Sequence, residues 1–310
     1  MTQTVAIIGA TGLQGGSVLR ALHATGKYKL VAVTRDASSE SAMNIKAKYP
    51  DVKLATANIY DPASLEKAFK GADYVFGVTQ FFQPAVLEKV GAGNFDAEFD
   101  QGKNIIDAAI AVGVKNIVMS TLPSVKELSG GKYSQVLHFD GKYKIEEYLN
   151  SKADKIRGAA VRVGYYMENY ITFSRISPDD NDTVEFSSPL PPTAKIPLID
   201  TAKDTGGAVA YILDNFDDFV GKPFEVSGGY YEAQDMVTAY TEVTGRPAKY
   251  AQIPHAYLNS EELTQMFKSF EEFGFYGHKT DFLEVNKKMD YNHTTPADFW
   301  KNRGWTGPSQ

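Results

Sequence analysis

Thr4-Val5-Ala6-Ile7-Ile8-Gly9-Ala10-Thr11-Gly12-Leu13-Gln14-Gly15-Gly16-Ser17-Val18 is the stretch on which the fold of this chain turns. Val5 to Ile8 is a short apolar run of the kind that forms a buried parallel strand. It breaks at Gly9-Ala10-Thr11-Gly12, and the residues beyond place Val18, Leu19 and Leu22 at helical spacing. The glycines fall as Gly9-x-x-Gly12-x-x-Gly15, and each has a physical task. Gly9 allows a tight turn off the strand, Gly12 removes a Cβ that would block a diphosphate, and Gly15 lets the helix lie close to the sheet. The helix opens with free N–H groups and about half a positive charge aimed at the turn, which suits an anion. A glycine triplet alone also fits an ordinary strand–helix turn. Between a first strand and a first helix it predicts a nucleotide site.

Composition narrows the classes. The chain has 310 residues, 43% hydrophobic and 23% charged, enough for one large domain or two unequal ones. It has no cysteine, which excludes disulfides and thiolate chemistry and fits a reducing compartment. Met1-Thr2-Gln3 runs straight into the first strand, so no signal or transit peptide is expected, and a cytoplasmic or nuclear location is. No apolar run approaches the ~20 residues that span a bilayer. A net charge of −6 argues against gripping nucleic acid by its phosphates. Small molecules and other proteins are the expected partners, with the chain a monomer or homodimer.

Farther along, Leu30 to Thr34 reads as a second strand that ends in Arg35. An acidic residue at this point of a dinucleotide fold holds a ribose 2′-hydroxyl, whereas an arginine accommodates a 2′-phosphate in charge and fork geometry. Ser38 and Ser39 add hydroxyls, so NADP(H) is favoured over NAD(H); the plainer alternative for Arg35 is a solvated loop arginine. A helix over 41–48 and a strand over 52–57 follow, then Asn58-Ile59, placed to border an adenine. Asp61-Pro62 opens another helix as N-cap and first residue. A strand over 74–78 leads to Thr79-Gln80-Phe81-Phe82, expected at the carboxyl edge of the sheet, where such folds bind ligands. Residues 83–95 read as a long mobile connection, 96–112 as a helix, 116–119 as a strand ahead of Ser120 and Thr121. Residues 122–136 read as a loop, 139–152 as a helix and 158–163 as a strand.

Strand and helix thus alternate six times, which predicts an α/β protein with a Rossmann-type doubly wound parallel sheet over residues 1–164. After Gly164 the periodicity loosens. Short strands near 184–186 and 223–226 and helices near 204–215, 232–244 and 260–273 predict a smaller α+β C-terminal lobe over 165–310, completing the pocket. Phe81, Phe82, Tyr165, Tyr166, Tyr170 and Phe173 are candidates for an apolar lining. Phe267, Phe270 and Phe273 either close it or, at helical spacing, belong to the core. The five histidines show no metal-ligand spacing.

Ser120, His138-Phe139-Asp140-Gly141-Lys142 and Gly164-Tyr165-Tyr166-Met167-Glu168-Asn169 resemble, in order and spacing, the extended short-chain dehydrogenase/reductase superfamily. That resemblance implies a serine that polarises a carbonyl, a tyrosine that donates a proton and a lysine four residues later that holds the nicotinamide ribose. Ser120 and Lys142 stand in two of these places, but position 138 is histidine. Tyr49/Lys53 and Tyr148/Lys152 repeat the tyrosine–lysine spacing where no catalytic pair is expected. An imidazole relays protons near neutrality, while a neighbouring lysine cation weakens it as an acid. Ser120, His138 and Lys142 are therefore the catalytic candidates, with a structural hydrogen-bonding role the alternative for His138.

The glycine turn, Val33-Thr34-Arg35, Val78-Thr79, the His-Phe-Asp-Gly-Lys string and Tyr166-Met167-Glu168-Asn169 together resemble the NmrA-like family, and within it the HSCARG-type proteins described as NADPH sensors. The motifs span residues 4–170; beyond them the fit is in length and pattern only. The resemblance implies a protein that binds NADP(H) and reports its redox level or abundance to partners such as transcription factors. Carried over by position, the cofactor contacts are Gly9, Ala10, Thr11, Gly12, Leu13, Gln14, Arg35, Ser39, Asn58, Ile59, Thr79, Gln80, Phe81, Lys142, Tyr166, Met167, Glu168 and Asn169. Where HSCARG-type proteins carry further basic residues after the arginine, this chain has Asp36-Ala37-Ser38-Ser39, leaving the 2′-phosphate to Arg35 and hydroxyls. The alternative function is an NADPH-dependent reductase of a quinone, enone or similar apolar carbonyl.

Overall fold

Val5, Ala6, Ile7 and Ile8 are all buried, and they lie in the first strand, β1 (Gln3–Ile8). The computed structural model describes residues 2–180, 182–289 and 291–308; Met1, where the chain was expected to run into this strand, lies outside them. There follow α1 (Leu13–Thr25), β2 (Tyr28–Thr34), α2 (Glu40–Lys48), β3 (Lys53–Thr56), α3 (Pro62–Phe69), β4 (Tyr74–Gly77), α4 (Pro84–Gly91), α5 (Ala97–Ala111), β5 (Asn116–Thr121), α6 (Val125–Leu128), α7 (Leu137–Asn150) and β6 (Arg157–Val163). The remainder comprises β7 (Tyr165–Tyr166), α8 (Glu168–Thr172), β8 (Ser174–Ile176), β9 (Val184–Ser188), β10 (Lys195–Ile199), α9 (Thr201–Asp214), α10 (Phe216–Phe219), β11 (Pro223–Val226), β12 (Gly229–Glu232), α11 (Ala233–Thr244), β13 (Ala248–Gln252), a 3₁₀ turn at His255–Leu258, α12 (Glu261–Phe273), α13 (Phe282–Asn286) and α14 (Pro296–Arg303).

Among the described residues the main sheet has seven strands in the order β11-β6-β5-β4-β1-β2-β3. β1 runs parallel to β2, with Val5 opposite Leu30, and to β4, with Val5 opposite Tyr74. The order reverses between β1 and β4, the place where doubly wound sheets open a crevice at their carboxyl edge. One face of the sheet (Ala6, Ile8, Val33, Val75, Ile117 and Met119) packs on Leu65 and Phe69 of α3, Ile105 and Ala109 of α5, and Ile145 and Leu149 of α7. Fully burying such a side chain contributes about 1.5–3 kcal/mol, so α3 and α5 are anchored by their cores. α2 buries only Ala42 and depends more on its Ser39 cap.

The chain forms two compact units: Met1–Ser124 with Leu137–Arg162 and Thr205–Phe224, and Val125–Val136 with Val163–Asp204 and Glu225–Gln310. In the second unit β10 pairs antiparallel with β12 and parallel with β7, and β9 pairs parallel with β13 and antiparallel with β8. The Trp300 indole of α14 donates to Met236 O of α11 at 2.8 Å and stacks on Trp305. Capping boxes Glu232/Asp235 and Thr295/Asp298 open α11 and α14.

Three expectations are corrected. Residues 83–95 contain a helix, α4, with Pro84 at its start and Val86 buried against Phe81 and Ala97. Within 122–136, expected as loop throughout, Val125–Leu128 makes one helical turn. The strand near 223–226, read with the C-terminal lobe, is the edge strand of the main sheet.

Candidate functional site

The glycine turn is built as its spacing requires. Gly9 has φ +66°, in the left-handed region that favours glycine, and its carbonyl accepts from Gly12 N at 2.8 Å. A Cβ on Gly15 would lie 2.3 Å from Gly9 O and 2.5 Å from Ile8 O, so only glycine lets α1 approach the strand end this closely. The N-cap of α1 is Gly12, which has no side chain to accept the first N–H groups. By contrast, Ser39 caps α2 and Asp61 caps α3 through their oxygens. Thr11, Gly12 and Leu13 are exposed at this helix start, with Ala10 and Gln14 buried beneath. A glycine cradle on an uncapped, exposed helix start fits a dinucleotide's diphosphate.

Next in the sheet, β2 ends at Thr34 and delivers Arg35 to the carboxyl edge. Arg35 is exposed and has no hydrogen bond or ion pair among the described residues. Asp36 folds into a local turn, taking Ser38 Oγ at 2.6 Å and Ser38 N at 2.7 Å; these bonds hold its carboxyl below the ordinary carboxylate range. Ser39 Oγ donates to Asp36 O at 2.8 Å and accepts from Ala42 N. The hydroxyl protons of Ser38 and Ser39 are thus spent within the turn. On β3's side, Asn58 Oδ1 accepts from Tyr60 N at 3.0 Å, and Ile59 O accepts from Asn104 Nδ2 at 3.0 Å.

Asn104 belongs to a polar row on α5 that no sequence motif marks. Glu98, Gln101 and Asn104 recur at threefold spacing, on one helix face. Gln101 Oε1 accepts from Gln80 N at 3.0 Å, and its Nε2 donates to Tyr60 OH at 2.7 Å. Glu98 Oε1 accepts from Thr79 Oγ1 at 2.9 Å and pairs with Lys142 Nζ, which also donates to Thr79 Oγ1 at 3.0 Å. The row therefore braces both loops expected to border a cofactor. Glu98 was invisible because its partner lies 44 residues away.

Four residues before Lys142, on the same face of α7, His138 is buried among Phe81, Phe82 and Phe139, with ring centroids 5.7, 5.1 and 4.9 Å away. Phe81 is buried, whereas Phe82 is exposed. Ser120 lies in β5 and is buried. Met119 packs on the Gly77 and Ile105 side, and Thr121 Oγ1 donates to Glu146 of α7 at 2.8 Å. Strand alternation sends Ser120, between them, to the opposite face. There its buried hydroxyl has no hydrogen-bond partner among the described residues. Glu146 is held by a bidentate, buried pair with Arg162 at 2.8 and 3.0 Å. Tyr148 is bonded to Asp107 of α5 at 2.6 Å, which makes it a packing residue of that helix pair.

Tyr166 to Asn169 lie in the second unit. Met167 is fully buried, and its N–H donates to Ile199 O at 2.9 Å. Glu168 accepts from Thr201 N at 3.2 Å and Ala202 N at 3.0 Å, capping α9, and from Arg303 at 2.7 Å; burial raises its carboxyl pKa despite these bonds. Tyr165, Asn169, Tyr170 and Phe173 line a cleft in this unit with Phe186 and Tyr250. Burial pushes the Tyr165 phenol well up. Phe267 and Phe270 are buried, while Phe273 stacks edge-on to Tyr133. Among the described residues no group of three acidic or histidine side chains could hold a metal, and no helix is long and apolar enough to cross a membrane.

Comparison with known proteins adds to this geometry. The profile of the NmrA-like family matches residues 1–302. An NmrA-like family domain-containing oxidoreductase of Penicillium ochrochloron is 30% identical over 314 residues, covering 97% of this chain and 87% of that protein. The negative transcriptional regulator NmrA, solved in complex with NADP, superposes with a TM-score of 0.70 at 21% identity, covering 100% of this chain and 93% of that one. Its complex with NAD gives 0.70 at 20% identity over the same shares. An NADPH-dependent quinone oxidoreductase of Escherichia coli, solved with NADPH, gives 0.72 at 22% identity, covering 97% and 100%. At these identities the solved structures establish a shared fold.

Proposed function

The chain belongs to the NmrA-like family, and from that premise we propose that it binds NADP(H) at the carboxyl edge of its first unit and acts as a sensor of that coenzyme, passing its state to protein partners. The observation that carries the binding is the glycine start of α1, left without a capping side chain at the crevice between β1 and β4. In this reading the turn and helix start from Gly9 to Gln14 cradle the diphosphate, and Arg35 takes the 2′-phosphate. Asn58 and Ile59 border the adenine, Thr79 to Phe81 border the nicotinamide half, and Lys142 reaches its ribose. Glu98 and Thr79 position the Lys142 ammonium for that ribose, and the sensor role is supported by histidine at position 138, where the reductases' proton-donating tyrosine would stand.

Calorimetric titration tests the assignment. Wild type is expected to bind NADPH more tightly than NADH, and Arg35→Ala to weaken NADPH about tenfold to hundredfold, the worth of charge-assisted bonds to a phosphate. NADH binding should change by less than about twofold. Equal losses for both would remove the 2′-phosphate role, and no binding of either by wild type would remove the reading.

A second reading is reduction of a quinone, enone or similar apolar carbonyl. It is favoured by His138 lying against the exposed ring of Phe82, and by the oxidoreductase description of the Penicillium relative. NADPH would supply the hydride, and the protein would orient the acceptor on Phe82 with His138 at hand for the proton. Consumption of NADPH absorbance with such acceptors, abolished in His138→Ala, would establish it. Binding without consumption across the panel would leave the sensor.

A further inference from the structure

Lys142 does not stand at the site as a lone cation. Its side chain is 12% exposed and that of its partner Glu98 only 2%, so the pair is screened far less than a surface ion pair. Thr79 ties them together, donating to Glu98 Oε1 at 2.9 Å and accepting from Lys142 at 3.0 Å. Gly141 faces Glu98 without a side chain; a Cβ there would lie 3.7 Å from Oε2. That second oxygen has no hydrogen-bond partner among the described residues. Both donors to the carboxylate, Thr79 and Lys142, lie at Oε1, so its charge acts where Lys142 acts. Together the two groups present a net charge near zero.

This matters because oxidised and reduced nicotinamide differ by one positive charge on the ring. A lysine cation at the neighbouring ribose would by itself repel the oxidised form. We infer that Glu98 is the residue that sets the balance between oxidised and reduced coenzyme, by cancelling the Lys142 charge through their buried pair. The inference rests on the proposed NADP(H) site, with Lys142 at the nicotinamide ribose. At the effective dielectric of about 20 that suits groups near a protein surface, an uncompensated unit charge beside the nicotinamide half is taken as worth about four- to thirtyfold in relative affinity.

The test is the ratio of the dissociation constants of NADP⁺ and NADPH, measured by calorimetry on four proteins: wild type, Glu98→Gln, Lys142→Met and the double variant. Glu98→Gln leaves an uncompensated cation and is expected to raise the ratio about four- to thirtyfold, towards NADPH. Lys142→Met leaves an uncompensated anion and is expected to lower it comparably, towards NADP⁺. The double variant restores neutrality and should return to within about twofold of wild type. Damage to the fold weakens both forms alike and cannot drive the ratio in opposite directions. Glu98→Gln keeps shape and an acceptor for Thr79, so it decides alone should Lys142→Met fail to fold. A ratio unmoved in Glu98→Gln, or moved the same way by both single variants, would overturn the inference while leaving the nucleotide site intact. Failure of wild type to bind either form would instead overturn the site, and this inference with it.

Discussion

Gly15→Ala probes the join between the first strand and the first helix. In a helix interior alanine is favoured over glycine by about 1 kcal/mol, so propensity alone predicts a more stable protein. Packing predicts the reverse. The added Cβ would sit 2.3 Å from Gly9 O, 2.5 Å from Gly9 C and 2.5 Å from Ile8 O. All three are main-chain atoms, so no rotamer change relieves the overlap, and α1 must shift bodily away from the end of β1. Overpacking of this kind costs about 1–3 kcal/mol or more; with a rigid obstacle we take the upper end and expect a net loss of about 2 kcal/mol. Gly16→Ala is the control, since its Cβ would meet Ala10 O and the tip of Arg20 at 3.2 Å, one of them a flexible side chain. It should fall within about 1 kcal/mol of wild type. Urea unfolding followed by far-ultraviolet circular dichroism reads the difference, and NADPH affinity should fall in Gly15→Ala as the turn is pushed out of place. If the two variants were equally stable, the claim that Gly15 fixes the helix-to-strand distance would be wrong.

Two other perturbations test the supporting framework. Arg162 and Glu146 form a buried bidentate pair; Arg162→Met should cost about 3–5 kcal/mol by stranding the carboxylate, and adding Glu146→Gln should recover more than half. Additive losses in urea unfolding would show the two to be independent. Glu185 of β9 is buried, which by itself raises its carboxyl pKa, yet the Arg175 hydrogen bond and charge, with help from Lys249, bring it below its ordinary value. A carboxyl depressed in the folded state stabilises above its unfolded pKa, and that stability is lost as pH falls through the folded value. The deficit of Glu185→Gln should thus be full at about pH 7 and shrink below about pH 4; a deficit independent of pH would refute the ionic origin.

The doubly wound sheet was legible because its strands are buried on both faces. Val5 to Ile8, Leu30 to Thr34 and Asn116 to Met119 read as near-continuous apolar runs, and the observed strands extend them by at most two residues at either end. The helix α4 was hidden by Gly91 and Gly93, which looked like loop punctuation; Pro84, a first-turn residue, was the signal that could have found it. The small strands β7, β8, β10, β12 and β13 have two to five residues each, and most are only half-buried, so no alternation marks them. At the candidate site the glycine turn and Arg35 followed from local spacing. Glu98, Gln101 and Asn104 did not, because a polar residue on an amphipathic helix looks the same whether it faces solvent or braces a distant loop. Ser120 shows a related limit: motif order gives its place in β5 but no partner for its buried hydroxyl, which has none among the described residues.

In the proposed complex a dinucleotide phosphate sits on the start of α1, where Gly12 supplies no capping side chain. Hydrogen–deuterium exchange with and without saturating NADPH tests it most directly. Exchange is expected to slow in peptides covering residues 9–16 and 35–39, with peptides confined to the first half of α2 and to α3 unchanged. Unaltered exchange over residues 9–16 at millimolar NADPH would contradict it.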